Sequence, residues 1–139
     1  MSQGVVSPAQ SVAIEYNLLD NGIHVFRFLS DKRQSVDEFL NALDSVIATA
    51  PQDEVFRYII DNRKIGMPPL QHYYQASLNW VRLRPSLPPL RTVYLTDFSP
   101  MTTLADTFVS LIQRTTNIEW EWRFMTHETI MDASQWLSN

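Results

Sequence analysis

Short runs of β-branched and aromatic residues alternate four times with stretches of helical period, and no other feature constrains the fold as strongly. Strands that alternate with helices are joined by right-handed crossovers, which makes the sheet they share mostly parallel. An antiparallel start is added by residues 12–18, where Val12, Ile14, Tyr16 and Leu18 alternate with Ala13, Glu15 and Asn17 ahead of Asp20-Asn21-Gly22. Asn-Gly tolerates the positive φ of a tight hairpin turn. The expected architecture is therefore an α/β domain over 12–139, with a mixed, mostly parallel five-stranded sheet and about four helices in the order ββαβαβαβα. Residues 1–11 are expected to be a flexible tail.

In the second strand, Ile23, Val25 and Leu29 face one way and Phe26 and Phe28 the other, so it should lie inside the sheet. Ser35 and Glu38 suggest a capping box for a helix running to about Ala50, stopped by Pro51. Val55–Ile60 has the composition of a buried central strand ending at Asp61. A helix carrying Tyr73, Tyr74, Ser77, Trp80 and Val81 must end by Arg84, ahead of Pro85. Arg91–Thr96 follows as a strand, and Ser99-Pro100 should open the next helix. Trp120, Trp122 and Phe124 alternate with Glu119, Glu121 and Arg123, as in a strand near an edge, and Thr126 is a candidate cap for a last helix.

Several chemistries lack their motifs. There is no cysteine, which removes disulfides and thiolate chemistry and fits a cytoplasmic setting. No apolar run reaches the length of a membrane span, and the first residues do not read as a secretory signal. With three glycines, neither a Walker loop nor a dinucleotide fingerprint can be written. His24, His72 and His127 stand far apart and outside any ligand motif, so neither a metal nor another cofactor is expected. A net charge of −4 disfavours nucleic acid as a partner. No catalytic set is legible, and the chain reads as a binder, not an enzyme.

The charge is unevenly spread. Between Asp61 and Asp97 every charged residue is basic: Arg63, Lys64, Arg82, Arg84 and Arg91. A positive patch beside Tyr73, Tyr74 and Trp80 would suit a protein partner or an anion, because arginine and aromatic residues are enriched at interface centres. The competing reading makes the aromatics a core-facing stripe and the arginines its solvated side. Open α/β sheets bind ligands at the carboxyl ends of their strands, where Asp61, Asn62, Asp97 and Ser99 should gather, although these residue types are also ordinary in loops and caps.

The opening hairpin, the strand ending Tyr58-Ile-Ile-Asp61, the strand Val93-Tyr-Leu and the closing Trp122-Arg-Phe-Met-Thr with Ala133-Ser-Gln-Trp136-Leu137 together resemble the STAS superfamily, in particular its SpoIIAA-like branch. The resemblance implies a small regulatory or protein-interaction module of the kind used in bacterial signalling. It also implies a phosphorylatable serine after the central strand, and here Asp61-Asn62-Arg63-Lys64-Ile65-Gly66-Met67-Pro68 offers neither serine nor threonine. That branch is similar in fold to lipid-carrying modules as well. Two functions are thus expected in competition. One is a protein partner held through residues 62–84. The other is a small apolar or anionic ligand beside Asp61, Met67, Tyr74, Trp80 and Asp97. The strand carrying Trp120 and Trp122 would also open a route to a homodimer if its edge is uncovered.

Overall fold

A computed structural model describes residues 13–97 and 100–139. The expected tail, Val12 and the Ser99 cap lie outside the described residues. The elements are β1 (Ile14–Leu18), β2 (His24–Phe28), α1 (Arg33–Ile47), β3 (Phe56–Asp61), α2 (Leu70–Arg82), β4 (Leu90–Leu95), α3 (Met101–Thr116), β5 (Trp120–Met125) and α4 (Ile130–Ser138). They build one five-stranded sheet in the spatial order β1-β2-β3-β4-β5, antiparallel between β1 and β2 and parallel from β2 onward. This is the mixed, mostly parallel α/β architecture expected from the alternation.

The hairpin is closed by Leu19 N–H donating to Ile23 O at 2.9 Å and Gly22 N–H donating to Leu19 O at 2.9 Å. Gly22 takes the left-handed conformation (φ 85°), where a side chain would be strained. Asn21 stays at negative φ, and its side chain instead accepts from Ile23 N–H at 3.3 Å and donates to Ser134 Oγ at 2.6 Å.

Each crossover advances one strand in the same direction, so α1, α2 and α3 pack on one face of the sheet. Their core contains Phe26, Phe28, Phe39, Tyr58, Ile60, Trp80, Tyr94 and Ile112. Among the described residues, the opposite face is covered by α4, through Ala133 and Leu137 against Ile23, Val25, Ile59, Val93 and Leu95. The two faces of β2 divide as the alternation required, with Phe26 and Phe28 on one and Val25 on the other.

Three helix boundaries differ from expectation. α1 starts at Arg33, which makes Ser35 an interior first-turn residue. Its hydroxyl donates back to Lys32 O at 2.6 Å, and no capping box with Glu38 forms. The helix gives way at Ile47 to turns before Pro51. α4 is capped by Thr129, not Thr126, because Asp132 can complete a reciprocal box: Asp132 N–H donates to Thr129 Oγ1 at 3.2 Å, and Thr129 N–H donates to Asp132 Oδ2 at 2.9 Å.

Candidate functional site

The single positive patch suggested by the run of cations does not form. α2 connects the carboxyl end of β3 to the start of β4 and therefore runs back along the sheet, so its 13 residues carry the chain about 20 Å between the two ends. Arg63 and Lys64 stay at the carboxyl end of β3, whereas Arg82 and Arg84 end up at the opposite end. Arg91 points to the other face of the sheet, beneath α4.

Most of these cations are already engaged. Arg63 holds the buried Asp61 carboxylate through Nε at 3.0 Å and Nη2 at 3.0 Å, an interaction that pushes the guanidinium pKa up further. Arg84 donates to Asp44 at 2.6 Å and to Trp80 O at 3.0 Å, and lies 4.4 Å over the Trp80 ring. Arg91 donates to Glu121 and to the carbonyls of Trp136 and Leu137. Lys64 and Arg82 are the exposed members of the set.

A different site is built on the α1–α3 face. A slot runs between α2, α3 and the sheet, with Met67, Pro68 and Leu70 near its open end. Tyr73, Tyr74 and Ser77 come from α2, and Ala105, Phe108, Val109 and Ile112 from α3, while Tyr94, Trp120 and Phe124 form the floor. Tyr74 packs on Phe108 at 4.9 Å across the slot, and Tyr94 stacks on Phe124 at 4.6 Å. The cavity measures ≈ 40 Å³. A second void of ≈ 30 Å³ shares Tyr73, Ser77, Tyr94 and Trp120 as walls and reaches inward to Trp80.

Among the described residues, the walls are apolar except for a few atoms without a hydrogen-bond partner: Asn62 Oδ1, Tyr73 Oη and Ser77 Oγ along the slot, and Trp80 Nε1 at its inner end. Asn62 is 2% exposed and Ser77 8% exposed. Leaving a buried donor or acceptor unpaired costs about 1–3 kcal/mol. Tyr73 and Tyr94 present their hydroxyls to each other within interacting reach, so Asn62 Oδ1 and Ser77 Oγ are the more isolated of these atoms. Burial raises the pKa of both, and it pushes Tyr58 up to about 12 against an opposing hydrogen bond from Thr92. The hydroxyls therefore remain protonated at neutral pH and can donate.

Of the residues expected to line a ligand, Met67 and Tyr74 line the slot and Trp80 the deeper void. Asp61 faces the opposite side of the sheet, bound to Arg63 and 3.9 Å from Arg27, because its odd position in β3 points away from α2. Asp97 is exposed beyond the end of β4. Asn62, expected at the carboxyl ends of the strands, and Tyr73, expected beside the basic run, also line the slot, and Ser77, Tyr94 and Phe108 emerge from the fold as further site residues.

The histidines occupy separate settings. His24 lies near the hairpin turn, with Tyr16 Oη 2.7 Å from Nδ1 and Phe56 stacked at 4.6 Å, and burial lowers its pKa. His72 contacts Asp37 at 2.9 Å on the outside of α1 and α2. Among the described residues, no group of three or more His, Cys, Asp or Glu side chains could hold a metal ion, and no helix is long and apolar enough to cross a membrane. Comparison with protein families, with curated proteins and with solved structures returned no match.

Proposed function

We propose that this chain is a non-enzymatic, STAS-like binding domain whose slot between α2, α3 and the sheet takes a small, mainly apolar molecule carrying one hydrogen-bonding group. The observation that carries the reading is the set of unpartnered polar atoms, Asn62 Oδ1, Tyr73 Oη and Ser77 Oγ, in otherwise apolar walls. A hydroxyl or amide presented there would satisfy groups that the fold leaves unpaired, while its hydrocarbon part would meet Phe108, Val109 and Ile112. The ββαβαβαβα order supports the STAS-like part of the proposal. Charge does not select an anion, since at the carboxyl ends of the strands Arg63 is already held by Asp61 on the far face and also feels the exposed Asp97 carboxylate. The dispersal of the cations removes the support for a protein partner held on one basic surface.

A volume of ≈ 40 Å³ accommodates a few waters and no drug-sized molecule. Binding must therefore widen the slot by moving α2, α3 or both away from the sheet. Like α3, which buries only Ala105, Val109 and Ile112, α2 is lightly held: of its residues only Ser77, Trp80 and Val81 are buried, against eight in α1. Proline pairs or single prolines at both its ends, Pro68-Pro69 and Pro85, fix the connecting segments while the helix between them is lightly held.

The test is thermal unfolding with a medium-chain primary alcohol and with the alkane of equal length. The alcohol should raise the melting temperature by mass action and the alkane much less. Ala105→Phe, which fills the slot near its open end, should remove the effect. An equal response to both probes, or a response untouched by Ala105→Phe, would reject the slot as the site.

A further inference from the structure

The outer edge of β5 carries a self-complementary code. Among the described residues, no strand lies beyond β5 in the sheet. Its inward side is fixed by Leu90 N–H donating to Glu119 O at 2.8 Å and Thr96 N–H donating to Met125 O at 3.0 Å. Backbone groups alternate along a strand, so the odd positions of β5 turn theirs to β4. Trp120, Trp122 and Phe124 turn their N–H and C=O groups to the open edge.

We infer that β5 pairs antiparallel with β5 of a second copy of this chain, with Trp122 opposite Trp122 of the other copy. The backbone alternation restricts antiparallel pairings to those that match outward positions with outward positions, and charge then decides among them. Placing Trp120 opposite Trp122 sets Glu121 against Glu121, and placing Trp122 opposite Phe124 sets Arg123 against Arg123. With Trp122 opposite itself, Glu121 of each copy faces Arg123 of the other, twice over, and Trp120 faces Phe124 on the opposite side of the sheet.

Cross-strand pairs of opposite charge and of aromatic rings both favour pairing, and like charges directly opposite disfavour it. Arg123 is exposed and has no ion-pair partner among the described residues. Glu121 is 65% exposed and uses Oε1 toward Arg91, which leaves Oε2 for the other copy's Arg123. Trp120 and Trp122 are anchored through their indole N–H groups to Thr92 Oγ1 at 3.0 Å and Asp106 Oδ1 at 2.7 Å, so the aromatic row is held in place before pairing. The two-fold relation closes on itself and joins two five-stranded sheets into one.

Sedimentation equilibrium provides the test. The wild-type chain should associate to a dimer, and Arg123→Glu should weaken that dimer by about tenfold or more, since it turns two attractive pairs into repulsive ones. Glu121→Arg should do the same, and an equimolar mixture of the two variants should recover association as a mixed dimer. If Glu121→Arg unfolds through loss of its Arg91 contact, amide hydrogen exchange on the wild-type chain decides instead. The Trp122 and Phe124 amides should gain protection as concentration rises. A wild-type chain that stays monomeric, a dimer indifferent to Arg123→Glu, or a dimer in which those amides stay unprotected overturns the inference.

Discussion

Arg91 lies across the carboxyl end of α4, with its guanidinium 4.1 Å over the Trp136 ring and Nη1 donating to the carbonyls of Trp136 and Leu137 at 2.8 and 3.0 Å. Arg57 reaches the same helix end from β3, donating to Leu137 O at 2.7 Å. The last carbonyls of a helix have no partner within it and carry partial negative charge, so two cations from adjacent strands fasten α4 to the sheet.

Arg91→Ala should therefore destabilise the fold by about 2–4 kcal/mol, because it removes charged hydrogen bonds to buried carbonyls as well as the stacking on Trp136. The urea midpoint should fall with an unchanged slope. A variant with the wild-type midpoint would mean that Arg91 serves contact with other molecules and not the attachment of α4.

Arg82 and Arg84, adjacent on a sequence plot of charge, should respond differently to the same substitution. Arg82→Glu alters an exposed side chain and should change stability by no more than about 0.5 kcal/mol. Arg84→Glu sets a carboxylate against Asp44 and loses the stacking on Trp80, so a loss of about 1–2 kcal/mol is expected. The Asp44 pKa is lowered from its ordinary 3.8, first by the Arg84 hydrogen bond, with burial opposing and the Arg84 charge assisting. A lowered folded-state value contributes stability that is present above pH 3.8 and is lost as the pH falls through the lower folded value. The gap between wild type and Arg84→Glu should accordingly narrow in acid; equal gaps at neutral and acid pH would show that the ion pair contributes nothing.

Much of this architecture could be read directly from residue patterns, and the losses have identifiable causes. The alternation in Val25, Phe26 and Phe28 already implied a two-faced inner strand, and Trp120-Glu-Trp-Arg-Phe implied an edge. Cap positions were less legible, since Ser35 and Thr126 have the right chemistry but the wrong place. The helices begin where packing puts them, two residues before Ser35 and four after Thr126. The basic run misled for a geometric reason: consecutive charges between Asp61 and Asp97 are divided by a helix that crosses the whole sheet. The slot was only half visible. Tyr74 and Trp80 belong to the helix α2 that sequence period picks out, and Met67 to the loop that leads into it. Asn62, Tyr94 and Phe108 come from three other places in the chain, and only the crossovers bring them together.

Ser77 separates the cost of the empty slot from its use. Its hydroxyl is buried without a partner, so Ser77→Ala removes an unsatisfied group and improves helix propensity, and the unliganded protein should gain about 0.5–1.5 kcal/mol. The same variant should bind the alcohol probe less tightly, because one of the groups that reward a polar head is gone. A protein that becomes more stable and loses affinity would mark Ser77 as a binding residue. A loss of stability would show that the hydroxyl has a structural partner.

The buried tyrosines set an alkaline limit on the fold. Tyr58, Tyr73 and Tyr94 ionise in the unfolded chain near the ordinary value of 10.0, whereas burial holds Tyr58 protonated up to about 12 and raises the other two in the same direction. Above pH 10 the folded state thus binds more protons than the unfolded state, and stability falls as the pH rises. Each such group contributes a slope of about 1.4 kcal/mol per pH unit, so three together would exhaust a stability of about 5–15 kcal/mol within a few units. Unfolding should be cooperative between about pH 10 and 12, with tyrosinate absorbance and loss of far-ultraviolet ellipticity rising at the same midpoint. Tyr94→Phe should make the pH dependence shallower by one group, since the phenyl ring keeps its stacking on Phe124 and loses only the ionisable hydroxyl. In a background with Tyr16→Phe and Tyr74→Phe, which removes the two half-exposed tyrosines outside this set, tyrosinate signal that appears well before the ellipticity changes would mean that these hydroxyls reach solvent while the chain is still folded.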